Sequence, residues 1–391
     1  MKTKAFILLF VIYLAFIALG LPDAIIGAAW SLMRSDLRVS LGALSLVSLL
    51  TYLMSLLATL NAPRLLRILQ TKKVTVLSIL FTGMALLLMS QVNHFYQLLF
   101  LAMPLGIGAG AIDVSLNHYM AKHYKASHMN YLHSFYGVGV TLGPAIIAYT
   151  LTDQSWRLGF MIIGGILLVI AMMILSSFKL WNNEDPTDRQ NDHAPIALKS
   201  MLKSKGMRLS IVIFLLYVHI ETLAGIWIAS YFYIEKSVSY SGAALFTTTF
   251  YLALTLGRLL SGLLSHKRSA KFLVLFGSAL IIIGALLLIL NRFENLLIYY
   301  GIVFIIGLGC APVYPNMMFL NNTYFTPAQL SKVISLQMAV GYIGFGLLTP
   351  FAGLIFDRFS IVIYPYWIGA ISVLTFLFIL RYLKQPLPTQ P

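Results

Sequence analysis

The sequence predicts an all-α integral membrane protein of twelve transmembrane helices in two six-helix bundles. Three observations carry that expectation. The 391 residues are 59% hydrophobic and only 10% charged, with a mean hydropathy of +0.87, whereas a soluble domain carries about 25% charged residues. Twelve apolar stretches approach or exceed the roughly 20 residues that a helix needs to cross a bilayer. One long polar segment, 179–207, follows the sixth stretch and separates residues 1–178 from 208–391. A chain this apolar does not stay dissolved, which excludes a soluble enzyme, a disordered protein and, despite the net charge of +15, a nucleic-acid binder.

The expected spans are 5–33, 40–60, 73–92, 96–121, 131–152 and 156–178, then 208–233, 240–265, 270–291, 296–320, 330–355 and 361–382. Continuous apolar runs must be helical, because the hydrocarbon offers no water to satisfy an open backbone. A membrane barrel would instead alternate with period two over segments of about ten residues. Lys2 and Lys4 precede the first run as in a secretory signal, but the run continues to Met33 without a clear cleavage site, so it reads as a retained helix. Of the 27 Lys and Arg, twenty fall in segments on the N-terminal side of the membrane and six on the other, with Arg258 inside a span. That asymmetry puts both termini in the cytoplasm and assigns the positive charge to orientation and anionic lipid. The single cysteine, Cys310, lies within an apolar run, so no internal disulfide is expected.

The segment 179–207 holds Glu184, Asp185, Asp188 and Asp192 and reads as a solvated linker. The halves that it joins echo one another. The fourth span reads Gly106-Ile-Gly108-Ala-Gly110 and the tenth Gly307-Leu-Gly309-Cys-Ala311, an offset of 201 residues, while Pro144 and Pro350 match at 206. Internal repetition of this kind marks transporters whose substrate site lies near the midplane between the repeats. Gly106 and Gly110 have gating or packing roles, since small residues let helices approach closely. The run is no nucleotide loop: it follows no strand and lacks the last glycine of G-x-G-x-x-G.

Of the twelve acidic residues, Asp23, Asp113 and Glu221 lie within spans. Each costs at least about 2.5–3.5 kcal/mol at a helix centre, so each is a candidate proton-coupling group; the alternative is a carboxyl bonded to a neighbouring helix. Asn117 stands one turn beyond Asp113 on the same face and is placed to orient a substrate hydroxyl. Trp30 and Trp227 follow the acids of the first and seventh spans; indoles cover the apolar face of a sugar ring or else form an interfacial belt. His133 titrates in a useful range and is a candidate relay or ligand, and Gln337 is a candidate polar ligand. Arg258 fits gating or structure, by pairing with a carboxylate or by snorkelling. No metal, nucleotide or nucleophile motif appears, so no cofactor is expected and pumping must draw on an ion gradient.

Together these residues resemble the major facilitator superfamily, and within it the fucose permease branch of sugar:proton symporters. The resemblance rests on Gly106-x-Gly108 before Asp113 and Asn117, on Asn130-Tyr-Leu-His133-Ser-Phe135, on Tyr217-x-x-x-Glu221 and on Ala311-Pro312-x-Tyr314-Pro315. It implies a coupling acid at Asp113, puts His133 where the branch has a glutamine, and adds Tyr314 as a substrate-binding candidate. Two features depart from it. The branch's first-span acid aligns with Gly27, one turn after Asp23, and the segment 61–73 keeps the basic residues of the superfamily's loop motif without its aspartate or glycines.

The expectation is therefore a proton-coupled symporter of a monosaccharide or similar small polar solute. Its partners are that solute, protons and the lipid bilayer, with no nucleic acid, and it is expected to be a monomer in a bacterial cytoplasmic membrane. A proton-antiport exporter of a sugar, drug or lipid-like compound is the alternative, with sodium coupling as a variant. A non-transporting sensor is the remote one.

Overall fold

The computed structural model describes residues 2–124, 126–181, 204–293 and 295–385. Most of the expected linker, with its four acids, and the end of the C-terminal tail lie outside the described residues. Fourteen α-helices account for most of the rest. They are α1 (Lys2–Gly20), α2 (Ile25–Asp36), α3 (Ala43–Met89), α4 (Phe95–His123), α5 (Ala126–Thr150), α6 (Trp156–Ser176) and α7 (Lys205–Lys236). There follow α8 (Tyr240–Leu264), α9 (Ala270–Leu290), α10 (Leu296–Cys310), α11 (Val313–Tyr324), α12 (Pro327–Ile343), α13 (Thr349–Arg358) and α14 (Ile363–Leu383). They supply eleven helical stretches long and apolar enough to span a membrane.

The twelfth pass is inside α3, a 47-residue helix whose trace turns at Gln70, φ 62° and ψ 159°. The segment 61–72, expected as a loop, is thus helical up to one residue in the left-handed region. That conformation costs a non-glycine residue about 1–3 kcal/mol, which the packing of both legs must offset. Three spans are interrupted. Pro22 donates no backbone hydrogen bond, and the first span accordingly breaks between α1 and α2. The tenth breaks at Ala311-Pro312, between α10 and α11. In the eleventh, a π-turn over Gly344–Leu348 separates α12 from α13, a departure found mostly at functional places.

The described residues group into two compact units. One takes those of Met1–Asp188 with Ile226–Thr248 and Gly353–Ile361; the other takes those of Arg189–Gly225, Thr249–Ala352 and Val362–Pro391. In the first, α4 lies between the two legs of α3. Gly106 and Gly110 face the carbonyls of Thr51 and Ser55 on one leg, while a methyl at Gly108 would stand 2.6 Å from the Ser78 carbonyl on the other. In the second unit Gly307 faces the Phe250 carbonyl, and a methyl at Gly309 would stand 2.8 Å from that of Gly277. Thr51 and Phe250 differ by 199 residues, as do Ser78 and Gly277. The glycine echo is therefore one packing arrangement made twice, with a wedge helix that only glycine lets in.

Candidate functional site

In the first unit the break in the first span exposes Asp23. The residue lines a cavity of about 540 Å³, open mouth included, together with Pro22, Ser48, Thr51, Tyr52 and apolar side chains such as Leu105 and Ala109. The Asp23 carboxylate accepts a hydrogen bond from the Tyr136 hydroxyl of α5. Leu105 and Ala109 sit four residues apart on α4, and the same row continues to Asp113 and Asn117. Asp113 is half-buried and lies within electrostatic reach of Asp23. The Asn117 amide nitrogen donates to the Asp113 Oδ1 and to its backbone carbonyl, both at 2.9 Å. Both amide hydrogens are thereby engaged and Oδ1 of Asn117 is left to accept. Among the described residues no cation pairs with Asp113.

The acid of the second unit is wired differently. Arg258 of α8 donates to Glu221 of α7, at 3.1 Å to Oε1 and 3.4 Å to Oε2, and both side chains are partly buried. Tyr217, one turn earlier on α7, bonds the same carboxylate, and its hydroxyl lies 2.9 Å from the Cys310 carbonyl at the break in the tenth span. Tyr314, just past that break, packs edge-on to Phe214, with centroids 5.3 Å apart, and lies against Tyr217. Its hydroxyl donates to the Met338 sulfur at 3.0 Å. Glu221, Arg258 and Tyr314 are thus brought together around Tyr217.

The remaining candidates sit apart from both clusters. Trp30 is fully buried and donates its indole N–H to the Leu41 carbonyl at 2.9 Å. Trp227 is also buried, edge-on to Phe356 and over Gly353, and its N–H meets no partner among the described residues. Neither indole lines the cavity beside Asp23. Gln337 is buried in a closed polar knot: it exchanges two hydrogen bonds with Asn321, at 2.8 and 3.1 Å, and donates to Ser210 at 2.5 Å. His133 is exposed and edge-on to Phe16 at 5.6 Å. It lies on the face of α5 that also carries Tyr136, three residues on.

Sequence reasoning did not single out two participants. Tyr136 and Tyr217 both lie close to candidate residues in the sequence, but a tyrosine in an apolar helix gives no sign of which carboxylate it will meet. His219, two residues before Glu221 and expected from the sequence to be structural, is buried between Trp367, whose indole donates to Nε2 at 2.9 Å, and Thr349, 3.0 Å from Nδ1. An indole N–H can only donate. Nε2 of His219 therefore accepts, and its proton sits on Nδ1.

The sequence profile of the Major Facilitator Superfamily matches residues 12–238 and again 209–391. Among characterised proteins, the chain is 22% identical over 305 residues to Bypass of stop codon protein 6 of Saccharomyces cerevisiae strain S288c, covering 70% of this chain and 61% of that one. It is 22% identical over 269 residues to the glucose/mannose transporter GlcP of Bacillus subtilis strain 168, covering 67% and 66%. The matched regions thus span about two thirds or less of the length of either relative. A mutant of the nucleoside transporter NupG superposes with a TM-score of 0.80 at 11% identity, over 97% of this chain and 100% of that one. A bacterial homologue of the human lysosomal transporter Spinster, inward-facing and occupied, gives 0.71 at 15%, over 98% and 96%.

Proposed function

The chain belongs to the major facilitator superfamily, whose members are membrane transporters and not enzymes, and from that premise we propose that it couples protons to the movement of a monosaccharide or similar small polar solute. The observation that carries this reading is the row on α4 from the cavity-lining Leu105 and Ala109 to Asp113 and Asn117. A carboxyl among apolar groups with a neutral amide as its partner loses its charge most cheaply by taking up a proton. Asp113 is then the coupling acid. Asp23, Tyr136 and the free oxygen of Asn117 meet solute hydroxyls, and the Glu221–Arg258 pair serves as a gate.

Alternating access between the halves 1–178 and 208–391 supplies the transport cycle. The basic-residue asymmetry supports cytoplasmic termini, and the reading is of a monomer in a bacterial cytoplasmic membrane. The relative named as a glucose/mannose transporter supports the sugar class. The fucose permease branch remains a finer assignment within this reading, supported by Asp113 and Asn117.

The test is reconstitution into liposomes holding a pH-sensitive dye, with a panel of sugars added and no gradient imposed. Sugar-dependent acidification, lost in Asp113→Asn, is the expected result; no response to any sugar sinks the symport reading. One observation favours a second reading. The cavity wall is largely apolar, with Leu19, Ile26, Leu44, Val47 and Ile226, which suits a proton-antiport exporter of a lipid-like compound, and the same dye assay with apolar cations would reveal it.

A further inference from the structure

The Tyr217 hydroxyl has two acceptors and one proton. The Glu221 carboxylate and the Cys310 carbonyl both lie within hydrogen-bond distance of it, and neither has a proton to give while Glu221 is ionised. Tyr217 is 2% exposed and Cys310 fully buried, so water does not readily supply the missing donor. With Glu221 ionised, one of the two acceptors goes without the phenolic proton at any moment. Protonation of Glu221 changes this. The carboxylic acid donates to the phenol oxygen, the phenol donates to the Cys310 carbonyl, and both contacts are made at once. The cost is the ion pair to Arg258, released when the carboxylate takes its proton from solvent.

We propose that Tyr217 is a positioning residue that transmits the charge of Glu221 to the break in the tenth span. Cys310 is the last residue of α10, and Ala311-Pro312 separates it from α11. A carbonyl held by the phenol stiffens that junction; one released lets it flex. The groups facing Glu221 are Tyr217 from its own helix, Arg258 from α8 and Cys310 from α10, with Tyr314 behind Tyr217. The inference uses the transport reading only to give the flexing junction a purpose, and the geometry stands without it.

The experiment is hydrogen exchange on the purified full-length chain, reading protection at the amides of Ala311, Val313, Tyr314 and Asn316. Glu221→Gln supplies the neutral, proton-donating side chain permanently. It is expected to raise protection there about five-fold, the worth of one neutral hydrogen bond. The double variant Glu221→Gln with Tyr217→Phe is expected to lose that gain. A merely structural Glu221 predicts the reverse sign, since removing half of an ion pair should loosen the region. Protection that falls in Glu221→Gln, or that rises equally without the Tyr217 hydroxyl, overturns the proposal. Neither outcome depends on a flux measurement, so failure here is separable from failure of the symport reading. Should the double variant not fold, wild type and Tyr217→Phe are compared at two pH values, with exchange rates corrected for intrinsic pH dependence: a gain in protection on acidification seen only with the Tyr217 hydroxyl supports the proposal, and a gain in both or in neither overturns it.

Discussion

The two compact units repeat one scaffold and carry opposite charge wiring. In each, a wedge helix enters between two neighbours on glycines that face backbone carbonyls, Gly106 and Gly108 in one and Gly307 and Gly309 in the other. Yet Asp113 is held by an amide, whereas Glu221 is held by a guanidinium. A carboxylate beside Arg has its charge compensated and gains from staying ionised; one beside Asn gains nothing comparable. The difference teaches that duplicating a fold need not duplicate its chemistry. In one copy a proton would displace no ion pair, and in the other it would have to open one.

The comparison breaks most severely if the shared scaffold is attacked. Gly106→Leu and Gly307→Leu should each abolish folding, because the facing backbone has no flexible end to give way; monodisperse elution in detergent checks this, and loss in only one would deny the equivalence. Next in size, Asp113→Asn should reduce solute-driven proton entry to the level of protein-free liposomes while leaving the melting temperature unchanged, since the new amide oxygen still accepts from Asn117. Arg258→Gln should lower the melting temperature as well as solute-driven proton entry, since the pair that it breaks is also the proposed gate. Breaking a buried ion pair costs about 3–5 kcal/mol, but here the side chains keep 29% and 20% of their surface exposed. A loss of about 2 kcal/mol, read from thermal melting, is therefore expected. Smallest is Tyr136→Phe, which removes one donor from Asp23. About 1 kcal/mol, or roughly five-fold in apparent solute affinity, is the expected effect, and an unchanged affinity would detach Asp23 from the site.

The fold was legible because hydrocarbon imposes one secondary structure and a minimum length, so the spans follow from composition alone. The boundary that differed, 61–72, differed because a polar, basic stretch can remain helical at a membrane surface, where water satisfies its exposed side. Repetition in the glycines was also legible, since close helix packing leaves a local mark. The site was only half legible. Charge in an apolar run announces Asp23, Asp113 and Glu221, but nothing in a one-dimensional pattern says that Tyr136 reaches Asp23 across 113 positions. Trp30 and Trp227 show the same gap from the other side. Spacing placed them on the acids' helices, and only packing reveals that their indoles are enclosed by protein.

The turn at Gln70 carries a consequence for how this gene tolerates change. One residue joins the two legs of α3, and α4 reads both at once, through Thr51 and Ser55 on one leg and Ser78 on the other. The distance along the chain from Thr51 to Ser78 is therefore a fixed gauge. A single codon inserted or deleted on the helical side of Gln70 would rotate one leg by about 100° relative to the other, turning a side chain where a carbonyl now faces Gly108. Substitutions there should be tolerated far more often than changes of length, and a library of one-residue insertions across 56–77 would map the gauge directly.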